Sequence, residues 1–380
     1  MSPANGPLRI PAAVLASAHA TAREFAAATG VDVDAEQLLG GRAVLLGLRS
    51  HGRVSAGGAT RLMPGGGGWC ALTLSRPDDV DAVPALVEAD GPEADEVAAD
   101  PWPAVEHRVR DVGPEAFVER ARLLGLPAGV LGETTAEVPR VRRQGGRRAP
   151  AALAELLVVD MSSMWAGPLC GRLLADAGAT VVKVESRARP DGTRAGPTEF
   201  FDCMNAGKLS YEADFTHPDG LRRLLAAADV VLESSRPAAL ERRGLGPSEP
   251  GARGGRIWLR ITGHGTVGDR ADWVAFGDDA AVSGGLVVGT TDAPRFCGDA
   301  IADPLTGMQA ALAVLESRAR GGGEIVELSM AAVAAHYAQL PLGDEKSCTA
   351  VPLVDTPAAG IGAHNIVVDH LVAERLATSC

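Results

Sequence analysis

The sequence predicts an α/β protein, with a Rossmann-like parallel sheet in the second half of the chain and a smaller α+β domain in the first. Three observations carry this. From residue 156 onward, short apolar runs alternate with helical stretches, the pattern of strands and crossover helices in a parallel sheet covered on both faces. Before residue 130, strand-like runs instead meet at a glycine turn. Aromatics are only 4% of the 380 residues while glycine counts 46, so the cores must be closely packed from Ala, Val and Leu.

In order along the chain, residues 1 to 40 read as mostly helical. The segment PLRIPAAVLASAHATAREFAAA ends in small residues as a secretory leader does, yet it runs on into an amphipathic pattern and is read as a helix. VSAGGATRLM and GWCALTLS are strand-like, joined by a turn at Gly65 to Gly68. Helical stretches follow around Val80 to Glu88 and Pro114 to Leu124. The charged segment VPRVRRQGGRRAP, 138–150, lacks periodicity and reads as a linker. This divides the chain into a small domain over 1–137 with a helical lead, a linker over 138–150, an α/β domain over 151–337 and an irregular tail over 338–380. The tail contains one short helical pattern, IVVDHLVAERLA.

Within the α/β domain, LLVVDM, VVKVE, DVVLES, RIWLRITG and EIVELSM read as strands. GPLCGRLLADAGA, PDGLRRLLAAA, PAALERRGLG and PLTGMQAALAVLESRAR read as the helices between them, with Thr216 as the expected N-cap of the second.

Composition bounds the function. A net charge of -12 argues against non-specific nucleic-acid binding, although Arg187, Arg189, Arg194, Arg236, Arg242 and Arg243 could hold an anionic ligand locally. Taken singly, each reads first as a solvated surface charge. The six cysteines, at 70, 170, 203, 297, 348 and 380, show neither zinc-ligand nor disulfide spacing, which makes a reducing cytoplasm the expectation. No apolar run approaches the roughly 20 residues of a membrane span.

Two segments could carry chemistry. MWAGPLCGRLLADAGATVVKVE sets small residues at a strand-to-helix turn and Glu185 at the end of the next strand, the layout of a nucleotide-binding βαβ unit. Ala166, Gly167 and Gly171 give only A-G-x-x-x-G, so dinucleotide binding ranks below plain helix–sheet packing. In CGDAIADPLTGM, Asp303 precedes a proline and a helical run, as an N-cap does, and a carboxylate at a helix N-terminus is also placed to act as a nucleophile.

The strings LLVVDMSSMWAGPLCGRLLADAGATVVKVE, DGTR, NAGKLSYEADF, ADVVLESSRPAALERRGLG, RITGHG and IADPLTGM follow one another over about 180 residues. In this order and spacing they resemble the large domain of family III CoA-transferases, the CaiB/BaiF family. That resemblance implies that Asp303, with Gly307 four residues on, is the catalytic carboxylate, attacking an acyl-CoA thioester and then carrying CoA to an acceptor carboxylic acid. It implies neither metal nor redox cofactor, only coenzyme A as substrate, and a homodimer. Coenzyme A contacts would fall on Trp165, Ala166, Gly167, Lys183, Glu185, Ser186, Arg187, Arg194, Lys208, Ser234, Ser235, Arg236 and Arg242. The stretch SAGGATRL resembles the family's glycine-rich loop, which makes Gly57 and Gly58 candidate oxyanion donors.

The sequence also departs from the family. The small-domain-like part precedes the large domain, so the order looks permuted, and Trp165 and Ser186 replace a Gln and an Arg of formyl-CoA transferases. A racemase or isomerase is the alternative, but the His such an enzyme pairs with its Asp is absent from WVAFGDDAAVSGGL, where Asp278 and Asp279 read as a solvated turn. His264 is a minor candidate for the missing base. A third reading, from another class, is a non-catalytic CoA-binding partner subunit.

Overall fold

The computed structural model describes residues 8–352 and 356–378; Cys380 lies outside them. The expected parallel sheet is present, and its seven strands run in the order 140–143, 324–329, 257–262, 230–233, 157–160, 180–185, 209–212. All neighbours pair parallel except Arg140–Arg143, which pairs antiparallel with the 324–329 strand. After the 140–143 edge strand, the parallel part starts at 157–160, builds outward to 209–212, then returns to 230–233 and builds the other way. The sheet therefore changes direction between 157–160 and 230–233, and the crevice at their carboxyl ends is where open α/β sheets take ligands.

Both faces are covered because the strands are apolar on both sides. Leu157 and Val159 join Leu221, Leu224, Val368 and Val372 in one layer. Val158 points the opposite way, with the period of two of a strand, into a larger layer with Leu169, Leu305 and Ala310. The helices Ala166–Asp176, Ala302–Ala319 and Met330–Ala338 supply that layer.

The domain boundaries differ from those expected. The N-terminal helix Ala12–Thr29 buries Val14, Leu15, Ala18, Ala22 and Phe25 in the large layer of the sheet domain, not in the small domain. An amphipathic face shows that a helix is buried but not against which core. The small domain is a three-stranded antiparallel sheet, Thr60–Gly65, Gly68–Thr73 and Ala128–Val130. Cys70 and Leu72 face the helices Val83–Val87, Pro101–Val112 and Pro114–Leu123, and Ala71 faces the sheet domain through Val282 and Phe296. It is thus an insertion in the sheet domain.

Three further expectations are corrected. The 138–150 segment is not only a linker, for Arg140–Arg143 forms an edge strand whose Arg142 and Arg143 pair with Glu327 at 3.2 Å and Glu324 at 3.0 Å. The tail is not irregular: Glu345–Ser347 pairs with Arg9–Pro11, and Asn365–Ala377 packs on the sheet. Thr216 caps nothing, since Asp214 Oδ1 accepts its N–H at 2.7 Å in a turn ahead of the Asp219–Ala227 helix, where Pro218 stands at the N-cap.

Candidate active site

Asp303 is the second residue of the Ala302–Ala319 helix, whose N-cap is Ile301, so the expected capping role is not what holds it. Its carboxylate instead accepts the backbone N–H groups of Ala166 and Gly277. Glycine makes this geometry possible. A Cβ on Gly307 would lie 2.7 Å from the Ala166 carbonyl oxygen and 2.9 Å from Leu169 Cδ2, so only glycine lets the two helices approach this closely. A Cβ on Gly277 would lie 2.4 Å from Asp303 Oδ2. Just before the helix, Ala300 adopts φ 40, a left-handed conformation costly for a non-glycine residue, and its N–H bonds Asp278 Oδ1 at 3.0 Å. Burial pushes the Asp303 carboxyl up to about 7, against the pull of the two N–H donors and the Arg42 guanidinium.

Asp303 sits among other acids. Asp278 and Asp279 are not in a solvated turn. They open the helix Gly277–Ser283, both buried, and burial lifts each to about 7, with Asp299 adding to the effect on Asp278 and Asp303 to that on Asp279. Asp279 Oδ1 accepts from Thr73 Oγ1 at 2.7 Å across the domain junction, while its Oδ2 has no partner. A carboxyl raised this way binds its proton more tightly folded than unfolded. It therefore costs stability progressively from the unfolded value near 4 to about 7, and no more above that. Asp279→Asn removes this penalty. Chemical denaturation from pH 4 to 9 will show the variant gaining on the wild type up to about pH 7, then holding level.

The sequence reading missed Arg42, on the helix Ala35–Leu46. Its Nη1 donates to both oxygens of the buried Asp299, at 2.7 and 2.8 Å, and its guanidinium lies against the rings of Trp165 and Phe200, 5.4 and 5.2 Å from their centroids. No spacing or motif marks this arginine; only the fold brings it to the site.

The turn after the 157–160 strand is tied by hydrogen bonds. Met164 has φ 74, and Asp191 holds it there by accepting its N–H at 3.2 Å. Asp191 in turn pairs with Lys183 Nζ at 2.7 Å, and Lys208 Nζ pairs with Asp160 at 2.8 Å while also donating to the Pro168 carbonyl and Asn205. All four charged side chains are buried. The lysines hold the carboxyls of Asp160 and Asp191 below the usual range despite the opposing effect of burial. Lys183 and Lys208 are thus consumed inside the protein and are not placed to hold phosphate, contrary to expectation. The same holds for Glu185 and Arg194, which pair at 2.7 Å. Gly167 packs on Ser162, where a Cβ would meet the Ser162 side chain at 2.2 Å, and Ala166 serves Asp303 through its N–H.

The other expected contacts lie around the crevice. Ser234 Oγ accepts the Ser163 N–H at 3.2 Å, joining the carboxyl ends of the 157–160 and 230–233 strands, and Ser235 donates to Glu233 at 2.8 Å. Arg236 and Arg242 are exposed, Ser186 is half-buried, and Arg187 pairs with Glu212 at 2.9 Å. In the small domain, the Gly58 N–H is already bonded to the Ser55 carbonyl at 2.9 Å, so it is not a free oxyanion donor. Gly57 is exposed, and a Cβ on it would lie 3.9 Å from Arg42 Nη2.

A cavity of about 300 Å³ opens at the carboxyl ends of the 257–262 and 324–329 strands, lined by Thr262, His264, Arg270, Glu327 and Val333 among others. His264 is 3% exposed and neither ring nitrogen has a partner; burial, with Arg122 and Arg270 nearby, drives its pKa down to about 3. A proton carrier near neutrality needs a pKa near neutrality, so His264 does not replace the missing racemase base. Among the described residues, no group of three or more His, Cys, Asp or Glu side chains could hold a metal, and no helix is long and apolar enough to cross a membrane.

Comparison with known proteins places this arrangement. CoA-transferase family III matches residues 153–359, more than half of the chain. The succinyl-CoA–D-citramalate CoA-transferase of Chloroflexus aurantiacus is 32% identical over 202 residues, covering 48% of this chain and 50% of the relative. The succinate–glutarate CoA-transferase of Agrobacterium fabrum is 31% identical over 204 residues, 47% of this chain and 50% of that protein. The human alpha-methylacyl-CoA racemase is 37% identical over a shorter 121 residues, 31% of this chain and 30% of that protein. The chain thus spans about half the length of the first two. A crystal structure of a CaiB/BaiF family protein from Brucella suis is 30% identical, covers 49% of this chain and 55% of that one, and superposes with a TM-score of 0.44. The matched residues run from the first parallel strand through Asp303 into the tail, and on that extent the chain belongs to CoA-transferase family III.

Proposed function

We propose that the protein is a CoA-transferase, moving coenzyme A from an acyl-CoA to a carboxylic acid through Asp303. The observation that carries this is the Asp303 carboxylate, held at a helix N-terminus by two backbone N–H groups and beside the sheet's change of direction. An Asp303 oxygen attacks the thioester carbonyl and the C–S bond breaks, giving a mixed anhydride and the CoA thiolate. The thiolate then attacks the Asp303 carbonyl carbon, releasing the donor acid as its carboxylate and leaving an aspartyl-CoA thioester. An acceptor carboxylate repeats the two steps in reverse and leaves as acyl-CoA. The Ala166 and Gly277 N–H groups orient the carboxylate.

The remaining geometry supports the same reading. The cavity of about 300 Å³ at the carboxyl ends of the 257–262 and 324–329 strands has room for part of coenzyme A. Arg236 and Arg242, exposed near the crevice, suit its phosphates. Transfer is favoured over racemisation because the His that a racemase pairs with its Asp is absent from 273–286, where Asp278 and Asp279 stand instead. The resemblance to the family also implies a homodimer, and that assembly is part of this proposal. The test is chemical: incubation with acyl-CoA and hydroxylamine should convert Asp303 to the hydroxamate, read by mass spectrometry of its peptide. An unmodified Asp303 alongside α-proton exchange into solvent would overturn the reading in favour of an isomerase.

A further inference from the structure

The helix Ala35–Leu46 lies outside the 153–359 stretch that matches the family, yet it reaches the nucleophile. It is closely seated. Ala35 and Leu39 are buried in the large layer of the sheet domain, and Gly40 packs on the tail so tightly that a Cβ there would lie 2.4 Å from Cys348 Cβ. From this helix Arg42 meets both turns that hold Asp303. Its Nη1 bonds the two oxygens of Asp299, the residue before Ala300, whose carbonyl accepts the Asp303 N–H at 2.9 Å. Its guanidinium also lies against the ring of Trp165, the residue before Ala166, whose N–H is donated to the Asp303 carboxylate. A planar cation suits both tasks, since it can bond a carboxylate at its edge while its face rests on a ring.

The charges around Asp303 show what this placement supplies. The Gly277–Ser283 helix brings Asp278 and Asp279, and the turn before the Ala302–Ala319 helix brings Asp299. The first turn of the Ala166–Asp176 helix, Ala166 to Leu169, carries no charge. The helices Ala12–Thr29 and Met330–Ala338 meet the Asp303 helix farther along, through Thr21 and Tyr337 at Gln309. Asp299 opposes ionisation of Asp303, while Arg42 favours it. Buried carboxyls this close keep one another protonated, and a protonated carboxyl does not attack a thioester. We propose that Arg42 is the positioning residue of the Asp303 site: it clamps the two turns that hold the nucleophile and supplies the positive charge that its acidic surroundings lack. Only the word nucleophile rests on the transferase reading. Because the 153–359 segment holds Asp303 but not Arg42, the N-terminal part of the chain completes the site rather than merely covering it.

The test follows the ionisation of Asp303 itself, by carbodiimide coupling of glycine ethyl ester to the full-length protein from pH 5 to 9. Mass spectrometry reads the Asp303 peptide against that of the exposed Asp90, which removes the reagent's own pH dependence. Arg42→Met takes away the charge at nearly constant length, and it should move the Asp303 midpoint up by at least about one pH unit. Asp299→Asn takes away a neighbouring negative charge while its amide oxygen still receives Arg42, and it should move the midpoint down. Loosened packing alone does not give shifts of opposite sign. A midpoint in Arg42→Met equal to that of the wild type, or shifts of the two variants in one direction, overturns the proposal. If Arg42→Met fails to fold, Asp299→Asn decides alone, and a midpoint that stays or rises overturns it. Hydroxylamine capture by the wild type is read separately: no hydroxamate on Asp303, with a midpoint that still depends on Arg42, sinks the transferase reading and leaves the role of Arg42 standing.

Discussion

Asp303→Asn will fold as the wild type does and lose CoA transfer by at least about 10³-fold, the scale on which removal of a covalent nucleophile is felt. Folding survives because the amide oxygen can still accept the N–H groups of Ala166 and Gly277 and the change in volume is small. Activity does not, because an amide cannot form the anhydride. In the wild type, transfer should also rise with pH and level off near 7. The carboxyl must be ionised to attack, and its pKa is raised to about 7, so the competent form is lost as pH falls through that value. Stopped-time assays across pH 5 to 9, with circular dichroism on the variant, check both statements. Wild-type rates in Asp303→Asn would remove the carboxylate from the mechanism.

Lys208→Met will destabilise the protein by about 3–5 kcal/mol, a large share of the roughly 5–15 kcal/mol that folded domains possess. Lys208 is 4% exposed and Asp160 is fully buried, and the lysine also satisfies the Pro168 carbonyl and the Asn205 side chain. Deleting the ammonium leaves a carboxylate with no water to solvate it. The sign with pH follows from Asp160. Its folded pKa is held low by Lys208 and Lys183, so in the wild type the pair stabilises above about pH 4 and is lost in acid. The deficit of the variant should therefore be largest near neutrality and shrink toward acid pH, where Asp160 can take up a proton. Urea midpoints at pH 4 and pH 7 measure it. An unchanged midpoint at neutral pH would show that the buried network contributes nothing.

The sheet was legible because its strands are buried on both faces and read as apolar runs: LVVD, VVLE and IWLRIT need no alternation to be recognised. The RVRR strand was not, since an edge strand paired on one side only can be wholly charged when its neighbour carries Glu324 and Glu327. Asp303 was legible through its motif and its place before a helix. Lys183 and Lys208 were misread as ligands because a lysine looks the same in sequence whether it faces a phosphate or a buried Asp. Their partners lie 8 and 48 residues away, and nothing local announces the pairing. Arg42 was invisible for the same reason, 257 residues from Asp299.

Because the small domain is inserted into the sheet domain, two strands of chain cross between them, and each crossing is pinned to the same stretch. Phe296 N–H bonds the Gly52 carbonyl at 3.0 Å on the outgoing strand, while Gly132 and Thr134 donate to the carbonyls of Val282 and Ser283 at 3.0 and 2.9 Å on the returning one. Mechanically this is a door on two hinges. A body tied at one point can swivel about any axis, but one tied at two can turn only about the line through both. Thr73 on Asp279 and Trp69 on the Thr291 carbonyl are latches away from the two crossings, so a rotation about that line must first break them, and it would move the Gly57 loop relative to Arg42.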